Sequence, residues 1–215
     1  QGEGVRVAVV DTGIVSHEDL TTNVVGGYDF ISDATTANDG NGRDSDPTDT
    51  GDWATNEVCG YTSNSSWHGT HVAGIIAAVG DNGIGVSGVA PKATIVPIRA
   101  LGRCGGSTSD VFAGARWAAG LSVSGIPNNP YPVKIINMSL GGPSNSAIDS
   151  AVADATNAGL TVVVAAGNSS TAKNYRFVDA SPNKGNNYYR LKLINNDNSF
   201  RFSEIKNVKH LSFAE

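Results

Sequence analysis

Short runs of consecutive apolar, β-branched residues alternate with alanine-rich stretches along the first 165 positions. Val5 to Val10, Ala93 to Ile98, Val133 to Met138 and Leu160 to Ala165 are each too short and too continuously apolar for a surface helix. They read as strands buried on both faces. Between them, Gly69 to Ala78 has helical spacing that puts Val72, Ile75, Ile76 and Val79 on one side. Thr108 to Ala119 reads as a helix capped by Ser107 or Ser109, and Ala147 to Ala158 as a helix ended by Gly159. Strand and helix in alternation predict an α/β fold: a parallel sheet with helices on both faces. In such sheets the functional residues lie beyond the carboxyl ends of the strands.

The pattern changes near residues 170–175. Residues 1–170 hold 7 Lys+Arg against 16 Asp+Glu, and residues 171–215 hold 8 against 4. Tyr188 to Ile194 and Ser199 to Ile205 alternate in strand fashion around Asn195-Asn196-Asp197-Asn198, which predicts a β-hairpin tail. The expected organisation is therefore 1–170 as an incomplete α/β domain and 171–215 as an unrelated β-rich tail.

Composition narrows the functional classes. The net charge of −5 disfavours nucleic acid, since phosphate binding needs clustered Lys and Arg. No apolar run approaches the ~20 residues of a membrane span, so no membrane partner is expected, and a monomer is. Gln1 to Gly4 leads straight into the first strand without a leader-like segment, which reads as a processed form or a fragment. Cys59 and Cys104 allow one disulfide or two buried thiols. Both lie in glycine-rich loops without Cys-X-X-Cys spacing, which favours a disulfide and an oxidising compartment.

Three polar groups interrupt the apolar pattern where chemistry is expected. Asp11 follows a strand and precedes a glycine turn. His68 opens a helix, with Gly69 leaving room beside it. Asn168 emerges after the apolar run 160–165. Taken singly, each has a plain structural use as a turn residue or cap. His68 and His71 also form a potential metal pair, but zincin helices place a Glu within a four-residue His spacing, and none stands here.

Four motifs in order carry a resemblance: Val7–Leu20 (VAVVDTGIVSHEDL), Ser66–Gly74 (SWHGTHVAG), Asn137–Pro143 (NMSLGGP) and Ala165–Asn168 (AAGN). Together they resemble the subtilisin-like serine proteases, the subtilase family, over about residues 4–170. The resemblance implies a secreted endopeptidase acting on polypeptide through an Asp-His-Ser triad. Asp11 would orient His68, His68 would be general base and then acid, and Asn168 would donate to the oxyanion. Ser139, Leu140 and Gly141 would pair with the substrate backbone as an added strand. Leu101, Gly105 and Gly106 would line the opposite edge of the cleft. The loop Gly80–Pro91 resembles the family's calcium loop, implying Asp19, Asn82, Ile84 and Val86 as structural Ca²⁺ ligands. A second acidic loop, Asn38–Asp46, could hold another ion or remain a solvated loop. The segment Asp179–Ile205 resembles part of a β-sandwich near the end of secreted multidomain proteins of gliding bacteria.

One element of the family pattern is missing. The nucleophile belongs to a Gly-Thr-Ser motif, and none occurs in the 215 residues. Ser169 and Ser170 come too early, and Ser181, Ser199 and Ser203 have no matching context. The expectation is a catalytic domain cut short and joined to a foreign tail, without hydrolytic activity of its own. The alternatives are a non-catalytic peptide-binding pseudoprotease and, more remotely, a metal hydrolase built on His68 and His71.

Overall fold

In the computed structural model, the described residues are 1–143, 145–168 and the backbone of four strands beyond residue 184. Five parallel strands form the central sheet: β1 (Arg6–Asp11), β2 (Tyr28–Asp29), β3 (Thr94–Arg99), β4 (Ile135–Met138) and β5 (Thr161–Val164), in the order β2-β3-β1-β4-β5. Two short helices, α1 (Ala34–Ala37) and α2 (Asn56–Cys59), lie in the long excursion after β2. Three longer ones follow: α3 (His68–Ala77), α4 (Thr108–Ala118) and α5 (Ser146–Asn157).

The alternation predicted from sequence is present, with boundaries shifted by one or two residues. The sheet is covered from both sides. Val7, Val9 and Ile95 point toward α3, where Val72, Ala73 and Ala77 meet them. Ala8, Val10, Val96, Ile98, Ile136 and Met138 point the other way, onto Val111, Ala115 and Trp117 of α4 and Ala151 and Ala155 of α5. Ser107 caps α4 by accepting the Asp110 N–H at 3.1 Å. Gly159, at φ 83°, turns the chain after α5.

Two expectations about burial need correction. The buried side of α3 is Gly69, Val72, Ala73 and Ala77; of the expected side, Val72 is buried and Ile76 packs partly against the core, whereas Ile75 is 53% exposed. Small residues let the helix axis approach β1 closely, so the close-packed face is the alanine face. Likewise β5 is not covered like a central strand: among the described residues it is the sheet edge, with Val163 48% and Val164 59% exposed.

The chain divides into two compact units, Gln1–Arg176 and Phe177–Glu215. In the second, β6 (Gly185–Tyr189) pairs antiparallel with β9 (Lys206–His210), and β7 (Lys192–Ile194) with β8 (Phe200–Phe202). The β7–β8 pairing matches the predicted hairpin, and its Asn195–Asn198 turn lies outside the described residues. Among the described residues, no helix is long and apolar enough to cross a membrane.

Candidate active site

β1 is the central strand, and the chain builds outward from it in both directions. The carboxyl ends of β3, β1, β4 and β5 are therefore adjacent. Leu101–Gly106 leaves the end of β3, Asp11 ends β1, Ser139–Gly141 follows β4, and Asn168 follows β5. Sequence-distant residues thus emerge along one sheet edge, as open α/β sheets place their sites.

Asp11 is fully buried. Its carboxylate meets His68 Nδ1 at 2.8 and 2.9 Å and accepts the Thr12 N–H at 2.8 Å. Burial pushes the Asp11 carboxyl above its ordinary range, while the His68 and Thr12 hydrogen bonds oppose that rise. The His68 side chain is 42% exposed, so the pair is anchored in the core and opens to solvent at the ring. The helix start lies hard against the strand end: a Cβ on Gly69 would come within 2.3 Å of Gly13 O. Only glycine fits that approach.

The residues after β3 are tied to the same carboxylate strand. Ala100 N–H and Leu101 N–H both donate to Asp11 O, at 2.9 and 3.1 Å. Gly102 and Gly105 exchange backbone hydrogen bonds in a tight turn, with Cys104 at φ 65°. Cys104 is disulfide-bonded to Cys59 at the end of α2. Leu101 is half-buried, and Gly105 and Gly106 are exposed. On the other side, Ser139 Oγ accepts from Asn137 Nδ2 at 2.9 Å, Leu140 is half-buried and Gly141 is exposed. Asn168 is exposed, three residues past the Ala165 N–H that donates to Met138 O. Ser169, Ser170, Ser181, Ser199 and Ser203 lie outside the described residues.

Asp19 and the loop 80–87, the positions that the resemblance implies as calcium ligands, meet through hydrogen bonds. The buried Asp19 carboxylate accepts from Asn82 Nδ2 at 2.7 Å and from Val86 N–H at 2.9 Å, and Asn82 Oδ1 accepts from Ile84 N–H at 3.0 Å. Those donors, Asn82 first, hold the carboxyl below its ordinary range. A Cβ on Gly85 would fill this cradle, at 2.3 Å from Asp19 Oδ2. Ca²⁺ takes oxygen ligands; here the Asp19 carboxylate supplies oxygens, while the Asn82 amide, which carries one oxygen and one nitrogen, turns its nitrogen to Asp19 and Val86 presents its N–H. The acidic loop 38–46 spends its carboxylates on protein donors. Asp39 pairs with Arg99 at 2.5 Å, and Asp44 accepts from Asn41 Nδ2 at 2.8 Å. For a metal hydrolase, His68 and His71 find no third partner, since no group of three His, Cys, Asp or Glu is assembled among the described residues.

Sequence reading missed Thr12, Asp49 and Arg99. Thr12 had a signal in its adjacency to Asp11. Asp49 and Arg99 act through partners 37 to 70 residues away, which no local pattern reveals.

The geometry defines a class of protein: an α/β fold with an Asp–His pair at the carboxyl end of its central strand. The Subtilase family profile matches residues 2–196, and the chain belongs to that family. It is 56% identical over 172 residues to an extracellular protease of Xanthomonas campestris pv. campestris, covering 78% of this chain and 30% of that one. It is 49% identical over 176 residues to an extracellular basic protease of Dichelobacter nodosus, covering 78% and 29%. Among solved structures, a protease from Pseudoalteromonas arctica is 55% identical with a TM-score of 0.76, over 78% of this chain and 50% of that one. The chain thus spans about a third of the length of the first two relatives.

Proposed function

We propose that the chain supplies the acid–base half of a secreted subtilisin-type serine endopeptidase. The observation that carries this reading is the bond from His68 Nδ1 to the buried Asp11 carboxylate. With Nδ1 committed to Asp11, Nε2 is left to take a proton from a nucleophilic hydroxyl and return it to the leaving amine. Asn168 would donate to the oxyanion, a contribution of about 10²–10³ in turnover for such a donor. Ser139, Leu140 and Gly141 on one side and Leu101, Gly105 and Gly106 on the other would hold an extended polypeptide as an added strand. Secretion is supported by the names of the two extracellular relatives and by the Cys59–Cys104 disulfide.

The nucleophile is the part this sequence does not match, for it contains no Gly-Thr-Ser. That observation favours a second reading for the 215 residues by themselves, a peptide-binding module without turnover. A fluorophosphonate probe separates the two, because it reacts only with an activated serine. The 215-residue chain is expected to stay unlabelled. Co-expression with a polypeptide that carries the Gly-Thr-Ser helix should restore labelling, and His68→Ala should abolish it. Equal labelling of the His68→Ala protein would overturn the role given to His68.

We further propose that Asp19, Asn82 and the Ile84 and Val86 carbonyls hold a structural Ca²⁺. Chelation with EGTA should lower the thermal midpoint, and Asp19→Ala should make the midpoint insensitive to EGTA. An unchanged midpoint in the unsubstituted chain would count against the site. The division into a catalytic part, 1–170, and an unrelated tail, 171–215, is supported by the composition break and the two compact units. The family match continues to residue 196, into the segment assigned to the tail.

A further inference from the structure

At the start of α3, Ser66 Oγ accepts the His68 N–H at 3.3 Å in an exposed bond, and the next N–H, that of Gly69, is left to another acceptor. The N-cap residue, Trp67, stands at φ 51° and makes no side-chain cap bond. First-turn N–H groups have no partner inside the helix, so a buried helix start needs an acceptor from elsewhere. For Gly69 it comes from the strand end. Thr12 Oγ1 accepts the Gly69 N–H at 2.9 Å in a buried bond. The same hydroxyl donates to Asp49 Oδ2 at 2.7 Å. A hydroxyl has one proton, and giving it to Asp49 turns a lone pair toward Gly69. Asp49 cannot swing away, because it is buried and its other oxygen accepts the Gly51 N–H at 2.8 Å. The loop that carries it is fixed too: Asp49 N–H donates to Ile14 O and Ile14 N–H to Pro47 O, at 2.9 and 3.0 Å.

We propose that Asp49 is a positioning residue that acts through the Thr12 hydroxyl, pinning the first turn of α3 to the end of β1 and so setting the His68 ring against Asp11. The proposal rests on the Asp11–His68 pairing read above and adds what holds that pairing in register. Thr12 follows Asp11 directly, and Gly69 follows His68 directly, so the Thr12–Gly69 bond runs parallel to the Asp11–His68 bond one residue along each element. Loss of the relay frees the helix start while leaving both site side chains in the sequence.

The test needs no turnover. In the full chain with ¹⁵N-labelled histidine, the Nδ1–H of His68 bonded to Asp11 should give a low-field proton resonance that Asp11→Asn removes. Thr12→Val, which keeps the shape but not the hydroxyl, and Asp49→Ala should each lose this resonance through exchange with water. Thr12→Ser should keep it. The double variant should resemble either single one, as members of one unit do. Persistence of the resonance in folded Thr12→Val would overturn the proposal, and that variant also decides the matter where Asp49→Ala does not fold. A resonance absent from the unsubstituted chain, or surviving Asp11→Asn, would instead overturn the Asp11–His68 pairing beneath it.

Discussion

Arg99→Ala is expected to lower the stability of the chain by about 3–5 kcal/mol, the range for removing one partner of a buried ion pair. Arg99 is 1% exposed at the end of β3. Its Nη1 faces Asp29 and, at 2.5 Å, Asp39, while Nη2 donates to Ala37 O and to Thr50 Oγ1 at 3.1 Å. Removing the cation strands a fully buried Asp29 carboxylate and the carbonyl of α1. A substitution of this size consumes much of the 5–15 kcal/mol that holds a domain folded. Urea unfolding of the variant should show a midpoint near or below the start of the titration. A loss under 1 kcal/mol would mean that the two aspartates relax to solvent without it.

The same cluster should make stability fall with rising pH. One guanidinium balances one carboxylate, and the cluster holds two. Burial pushes the Asp29 carboxyl up to about 7, against the opposing pull of the Ile31 N–H and Arg99, and the neighbouring Asp39 adds to the rise. For Asp39 the cost of burial is outweighed by the Asn41 N–H and Arg99, which hold it below the usual range. The folded chain therefore binds the Asp29 proton more tightly than the unfolded chain does. That contribution is complete below the unfolded value and is lost as pH rises through 7. From pH 6 to pH 8 the loss is about 1.4 kcal/mol. Asp39 titrates well below this window. Urea midpoints at the two pH values should differ accordingly, and Asp29→Asn should flatten the dependence. A slope that survives Asp29→Asn would assign it to another group.

The second large effect concerns the disulfide. Cys59 and Cys104 are 45 residues apart, and opening a loop of that length returns about 4 kcal/mol of chain entropy to the unfolded state. Cys104→Ser should lower the thermal midpoint by roughly 10 °C, at about 2–4 °C per kcal/mol for a domain of this size. Scanning calorimetry with and without dithiothreitol checks this without a substitution. A midpoint unmoved by reductant would mean that the bond constrains little. The bridge holds α2 against the turn that presents Gly105 and Gly106, so reduction should also widen the resonances of that turn before the sheet unfolds.

How much was legible in the sequence depended on the range of the interaction. Strands β1, β3 and β4 and helices α4 and α5 announced themselves through local apolar runs and through Ser107 and Gly159 at their ends. Asp11 and His68 were legible through the motifs around them, VAVVDTGIVSHEDL and SWHGTHVAG, since each alone reads as a turn residue or a cap. The exposure of Ile75 was not legible, because helical spacing ranks residues by apolarity, whereas packing distance ranked Ala73 and Ala77 first. Asp49 has no motif around it and lies three positions beyond the acidic loop 38–46. Its role depends on Thr12 and Gly69, which the fold brings to it across 37 and 20 positions of sequence. Arg99 lies just past the strand predicted at 93–98, and nothing local signals that Asp29 and Asp39, 70 and 60 positions away, converge on it.

The edge that β5 forms among the described residues bears on how this chain behaves in solution. Among the described residues, Val163 and Val164 are exposed on a strand whose outer side pairs with no other strand. An apolar edge of that kind is a template for a strand from another molecule. Preparations will therefore be limited by concentration before they are limited by temperature, with turbidity appearing first in the most concentrated fractions. A lysine at position 164 is the economical remedy, since a charge there hinders edge-to-edge stacking while leaving the opposite side of the strand paired with β4.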